Sequence, residues 1–184
     1  MTKTRKITLS AVLIALSFAL VFASKLLPAP WTQGGSITIA SMTPIILASR
    51  IIGTKWGLAT GFVFSLIQMM TGFYLPPATT YLNFVGVIFL DYVGAFTVLG
   101  LANVFVKLMG NKLWAIPLSG TIVTGLRYIM HILSGLLIWG AYADTDNVLI
   151  YAVTYNGSYM IPEMIITTVV LAIISPTIKK KFNL

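Results

Sequence analysis

Apolar residues in this chain come in blocks long enough to cross a bilayer, and the charged residues fall almost entirely between the blocks. Predominantly apolar runs occupy about 7–27, 36–52, 56–75, 81–106, 113–141 and 148–178. A hydrocarbon core of ~30 Å takes about 20 helical residues to cross. The pattern therefore predicts an all-α integral membrane protein, a bundle of six transmembrane helices. The second run is short and carries Ser36, Thr38, Ser41, Thr43 and Pro44, which predicts an irregular segment sheltered by surrounding protein. No linker, low-complexity tract or internal repeat divides the chain, so residues 1–184 read as a single membrane domain.

Charge gives the runs a direction. Lys3, Arg5 and Lys6 precede the first run, Arg50 and Lys55 flank the second turn, Lys107 and Lys112 the fourth, and Lys179, Lys180 and Lys181 close the last. With six spans all ten lie on one side, which the positive-inside rule makes the cytoplasm. Both termini are then cytoplasmic. The opposite loops hold Asp144 and Asp146, with Lys25 the one base. The net charge of +8 thus orients the chain in a lipid bilayer and does not mark a nucleic-acid surface. The first run is too long for a signal-peptide core and is expected to persist as a helix. Absence of cysteine removes disulfides, thiolate metal sites and thiol nucleophiles.

Ionisable groups within apolar runs are costly and need a partner, a ligand or a water-filled cavity. In the fifth run Arg127, His131, Gly135 and Trp139 recur every four residues and form one slowly winding stripe. Gly135 leaves a gap between His131 and Trp139 that suits a flat ligand. At ~1.5 Å per residue, Asp91 of the fourth run lies level with His131, about 15 Å below the outer surface, and Glu163 of the sixth lies level with Arg127. Two polar layers result. The deeper one reads as a buried structural ion pair, Arg127 with Glu163, forming the floor of a cavity. The upper one, Asp91, Tyr92, His131, Trp139, Tyr151 and Asn156, has the composition of a pocket for a small cationic aromatic molecule. Ala11, Ala15 and Ala19 make a flat strip on the first helix, suited either to internal packing or to a partner subunit.

No phosphate-binding G-x-x-x-x-G-K-[ST] loop, H-E-x-x-H or G-x-S-x-G occurs, and there is a single histidine. The chain therefore does not power transport by its own ATP hydrolysis and reads as neither a metal site nor an enzyme, with no catalytic residues assigned.

The stretches QGGSITIASMTPIILASR (33–50), FLDYVGAF (89–96), LRYIMHILSGLLIWGAYA (126–143) and IYAVTYNGSYMIP (150–162) resemble the thiamine-specific substrate-binding (S) components of energy-coupling factor transporters. The resemblance implies a six-helix bundle in the bacterial plasma membrane, with the vitamin bound by Asp91, Tyr92, His131, Gly135, Trp139, Tyr151 and Asn156. It matches Trp31, in the first outer loop, loosely to an aromatic lid. It further implies that the Ala11/Ala15/Ala19 face meets a transmembrane coupling subunit, that two ATPase subunits use the ATP, and that the chain carries no cofactor of its own. Two other readings are open: an S component for another small ring vitamin or precursor, such as a vitamin B6 form or hydroxymethylpyrimidine, and an autonomous proton-coupled carrier.

Overall fold

A computed structural model describes residues 1–26 and 35–184. Among the described residues the chain is helical and contains no strand. Helix α1 spans Lys3–Ser24, α2 Thr43–Ile52, α3 Thr54–Thr71, α4 Tyr81–Leu108, α5 Ala115–Leu137 and α6 Val148–Phe182. Of these, α1, α4, α5 and α6 are long and apolar enough to cross a membrane.

The exterior is that of a protein dissolved in lipid. Ile161, Ile165, Val169 and Ile173 recur every four residues along α6 and are all exposed, as are Ile7, Val12, Leu16 and Phe22 on α1. In water such a surface would aggregate. In hydrocarbon it costs nothing, and the polar side chains turn inward instead.

The polar second run does what its composition predicts. Residues 36–42 are irregular, and α2, ten residues long, is buried from Thr43 to Arg50. Its side chains Ile45, Ile46 and Leu47, with Met42 before it, form the middle of the core with Phe64, Phe96, Leu99, Ile116 and Leu171. Protein therefore shields its unpaired backbone ends from lipid. Ser49 donates to the carbonyl of Gly100 and accepts from the amide of Asn103, and Arg50 Nη1 donates to Asn103 Oδ1 at 3.1 Å. Arg50, which flanks the α2–α3 turn, is thus buried against α4.

Helices α2, α3 and α4 approach closely because glycines let them. A Cβ at Gly57 would strike Ser49, and one at Gly100 the backbone of Leu58. A Cβ at Gly61 would lie 2.5 Å from the carbonyl oxygen of Phe96. This small-residue seam, unremarked in the sequence, takes the role that apolar burial plays in water, because helices in lipid associate through close packing. Lys179 Nζ reaches the carbonyl of Asn111, and Leu9 and Leu13 of α1 pack with Trp56 and Ile52. The α1 start, the α2–α3 and α4–α5 turns and the α6 end therefore gather at one end of the bundle.

Replacing Gly61 by Val should push α3 from α4 and cost about 1 to 3 kcal/mol. The check is thermal unfolding of the detergent-solubilised protein, and an unchanged melting temperature would refute the close-approach account.

Candidate functional site

The opposite end of the bundle encloses a cavity of about 440 Å³, within the ~300–1,000 Å³ usual for small-molecule sites. Every helix but α2 contributes to its wall, and the irregular segment before α2 supplies Gly35, Ser36, Thr38 and Ser41.

Asp91 organises the upper half. It lies in a π-helical stretch of α4, Ile88–Val93, where an extra residue in one turn rotates the following side chains by about 100° relative to an uninterrupted α-helix. Its Oδ1 is 3.1 Å from His131 Nδ1, and its Oδ2 accepts from Ser134 Oγ at 2.7 Å and Trp139 Nε1 at 2.9 Å. All three donors come from α5 or the turn that ends it. Helix α5 stops at Leu137, not near 141 as the apolar run suggested, and Trp139 stands on a 3-10 turn, Trp139–Tyr142. That turn swings the indole N–H onto Asp91 while Tyr142 stacks on the ring, centroids 6.1 Å apart. His131 Nε2 has no partner among the described residues.

Of the predicted site residues, Asp91, Tyr92, His131, Gly135, Trp139, Tyr151 and Asn156 all line the cavity, and Trp31 lies outside the described residues. Their roles differ from the sequence reading in three places. The Tyr92 hydroxyl is engaged by the chain itself, donating to Gly72 O at 2.7 Å and accepting from Tyr74 N at 3.1 Å. The Asn156 amide donates to the carbonyls of His131 and Ala152, and its Oδ1 accepts from Tyr159 at 2.5 Å. Asn156 thus ties α5 to α6 and has only one acceptor position to spare. Gly135 borders the cavity and also serves helix contact, because an added Cβ would lie 2.8 Å from Ala152 Cβ.

The deeper layer requires a further correction. Arg127 and Glu163 both border the cavity but do not form an ion pair. The Arg127 guanidinium lies 4.1 Å from the Phe96 ring centroid, with Nη1 2.9 Å from Met42 Sδ. Glu163 Oε2 accepts from the Thr38 amide at 2.6 Å. The irregular segment before α2 bonds Glu163 through the Thr38 amide and touches Arg127 through Met42, contacts that depth along two helices does not reveal. Sequence reasoning also missed Ser134 and Gln68. Ser134, three residues beyond His131, shares its helix face, and Gln68 is the lone amide side chain in the last turns of α3.

Among the described residues, eleven buried side-chain polar atoms have no hydrogen-bond partner, and five of them belong to this one cavity: Gln68 Oε1, Arg127 Nε, His131 Nε2, Tyr151 OH and Glu163 Oε1. Unpaired buried polar groups are expensive, and their convergence marks a place where a ligand or water completes the bonding. No cluster of His, Asp and Glu suited to a metal ion occurs among the described residues.

The sequence profile of the thiamine transporter protein family matches residues 7–183. The chain belongs to this family. It is 34% identical over 155 residues to the thiamine transporter ThiT of Bacillus subtilis (strain 168), covering 79% of this chain and 77% of that one. A solved structure of ThiT from Listeria monocytogenes shares the fold, with a TM-score of 0.74 over 98% of each chain at 21% identity. Membership agrees with the resemblance drawn from the motifs of helices 2 and 4 to 6. It makes the protein a transporter rather than an enzyme, and a multi-pass protein of the cell membrane.

Replacing Asp91 by Ala strands three donors in an apolar interior. It should lower stability by about 1 to 3 kcal/mol and release the Trp139 indole. In a background with Trp31, Trp56 and Trp114 changed to Phe, the emission of Trp139 should shift to the red. Unaltered emission and melting would show that Asp91 does not hold the ring.

Proposed function

We propose that this chain captures thiamine from outside the cell in the cavity described above and hands it inward when joined to an ATP-driven coupling complex. The observation that carries the reading is the meeting, in a family of thiamine transporters, of a half-buried carboxylate, aromatic faces and hydrogen-bonding atoms without partners among the described residues in one cavity of suitable size. Thiamine joins a permanently cationic thiazolium to a hydrogen-bonding aminopyrimidine. Asp91 supplies negative charge, the open face of Trp139 supplies a surface for a cationic ring, and His131 Nε2 and Tyr151 OH supply directional bonds. Trp31 is proposed as the covering aromatic.

Orientation and energy follow the same reading. The cavity lies at the end away from the clustered basic residues, so cytoplasmic termini turn its mouth outward. The chain binds without a cofactor, and two ATPase subunits acting through a transmembrane coupling subunit supply the work. Ala11, Ala15 and Ala19 are exposed along one face of α1, and a strip of small side chains in lipid favours close approach by another helix.

Titration of the purified protein should give tight thiamine binding, with a vitamin B6 form and hydroxymethylpyrimidine binding more weakly. Equal binding of all three would remove the specificity. In proteoliposomes the chain alone should bind but not concentrate thiamine, whereas concentrative uptake without partners would establish an autonomous carrier. Replacing Ala15 by Phe should leave binding unchanged and abolish uptake by the assembled complex.

A further inference from the structure

We propose that a groove between α1 and α3 seats one acyl chain of an anionic phospholipid, whose phosphate is held by Lys3 and Lys55. The proposal stands apart from the thiamine reading. The groove has a volume of about 230 Å³ and shares no lining residue with the ligand cavity. Its walls run from Ile7 to Ile14 on α1 and from Trp56 to Val63 on α3, and the short side chains of Ala11 and Ala59 give it depth. Ile7 and Val63 are exposed, so the groove faces the surrounding lipid. Both helices begin at the basic end of the bundle, and the groove therefore runs inward from the interface, along the direction of a lipid tail. Seven residues of helical rise make each wall ~10 Å long, within the ~15 Å hydrocarbon depth of one leaflet. Trp56 stands where that depth begins, a position that suits an indole.

Charge decides which lipid. Lys3 precedes Ile7 by four residues and Lys55 precedes Ala59 by four, so each stands one turn below the groove on the face that lines it. Both are exposed. The chain offers neither an acidic side chain: of its four, Asp91 and Glu163 border the ligand cavity, and Asp144 and Asp146 lie between α5 and α6 at the opposite end. A phosphate at the interface supplies the missing charge, each base adding about 5-fold to the attraction. A zwitterionic headgroup carries its own cation to the same place and gains less. A second copy of this chain, meeting this face with its own, would set base against base. Ala11 also belongs to the strip proposed for the coupling subunit, so the lipid is held by the chain standing alone.

The test uses the full chain with Trp31, Trp114 and Trp139 changed to Phe, which leaves Trp56 as its one indole. It is placed in phosphatidylcholine bilayers that contain a small fraction of phosphatidylglycerol, or of phosphatidylcholine, brominated on the acyl chains; bromine quenches an indole on contact. Brominated phosphatidylglycerol should quench Trp56 at a mole fraction about 5-fold lower than brominated phosphatidylcholine. Lys3→Gln combined with Lys55→Gln should bring the two lipids level. Ala59→Phe, which fills the groove and keeps both bases, should do the same. Equal quenching by the two lipids before either change, or a preference that persists in Ala59→Phe, would leave only diffuse attraction and overturn the seat. Quenching by neither lipid would mean that protein, a second copy included, covers the groove, and would overturn it as well. Melting curves report the folding of each variant. If the chain with Trp56 alone does not fold, mass spectrometry of the otherwise unsubstituted chain released from mixed bilayers takes its place. Phosphatidylglycerol should then be retained in preference to phosphatidylcholine, and retention without preference would overturn the proposal.

Discussion

A carboxylate inside an apolar bundle must be bonded by the protein that holds it, and among the described residues Asp91 is bonded by one neighbouring helix and its closing turn. His131 Nδ1, Ser134 Oγ and Trp139 Nε1 converge on its two oxygens. Much of the upper cavity follows. The histidine is held at Nδ1 with Nε2 left over on the cavity side, the indole is fixed by its N–H, and α4 must present Asp91 at the depth of His131, which it does through a π-helical stretch. A loss of that one charge would unfasten α4 from α5 at the level where the ligand is proposed to sit.

The bundle separates two demands that soluble proteins combine. Its outside has only to dissolve in lipid, so isoleucine, valine and leucine are exposed along α1 and α6 without penalty. Its inside must satisfy polar groups without water, and does so for Ser49, Asn103, Asn156 and Tyr92 with short internal bonds. The concentration of unpartnered atoms around one cavity stands out against that background. A ligand that pairs such atoms gains hydrogen bonds in a low-dielectric site, a route to tight binding that does not depend on large buried area.

Helix α1 belongs to both ends of the proposed mechanism. Val21, Ser24 and Lys25 at its end border the cavity, and Ser24 Oγ accepts from the Ile39 amide of the segment before α2. Ala11, Ala15 and Ala19 occupy an exposed face of the same rod. In the mechanism proposed above, a rigid helix that borders the cavity at one end and offers a smooth strip along its length would connect occupancy to a partner subunit without a chain of side-chain rearrangements.

Sequence alone determined what depends on composition and period: apolar runs of membrane length, the basic residues that gather at one end, the four-residue stripe on α5, and the level of Asp91 with His131. These survive because helix rise and periodicity are nearly constant. The short buried α2 was also legible, since its polar residues could exist in lipid only under cover. Tertiary structure decided which polar atoms pair with which. Helical depth put Arg127 and Glu163 together, but the irregular segment before α2 supplies the Thr38 amide to Glu163 and Met42 to Arg127, and nothing in the spacing of two helices encodes contacts from a third segment of chain. Gly135 read as space for a ligand, and it borders the cavity, but it also lets Ala152 approach, because a glycine records only that something comes close and not what. Trp139 kept its predicted place at the cavity, but the end of α5 at Leu137 and the 3-10 turn after it set the indole direction. Such local geometry is fixed by the bonds to Asp91 and not by the apolar pattern that runs past it.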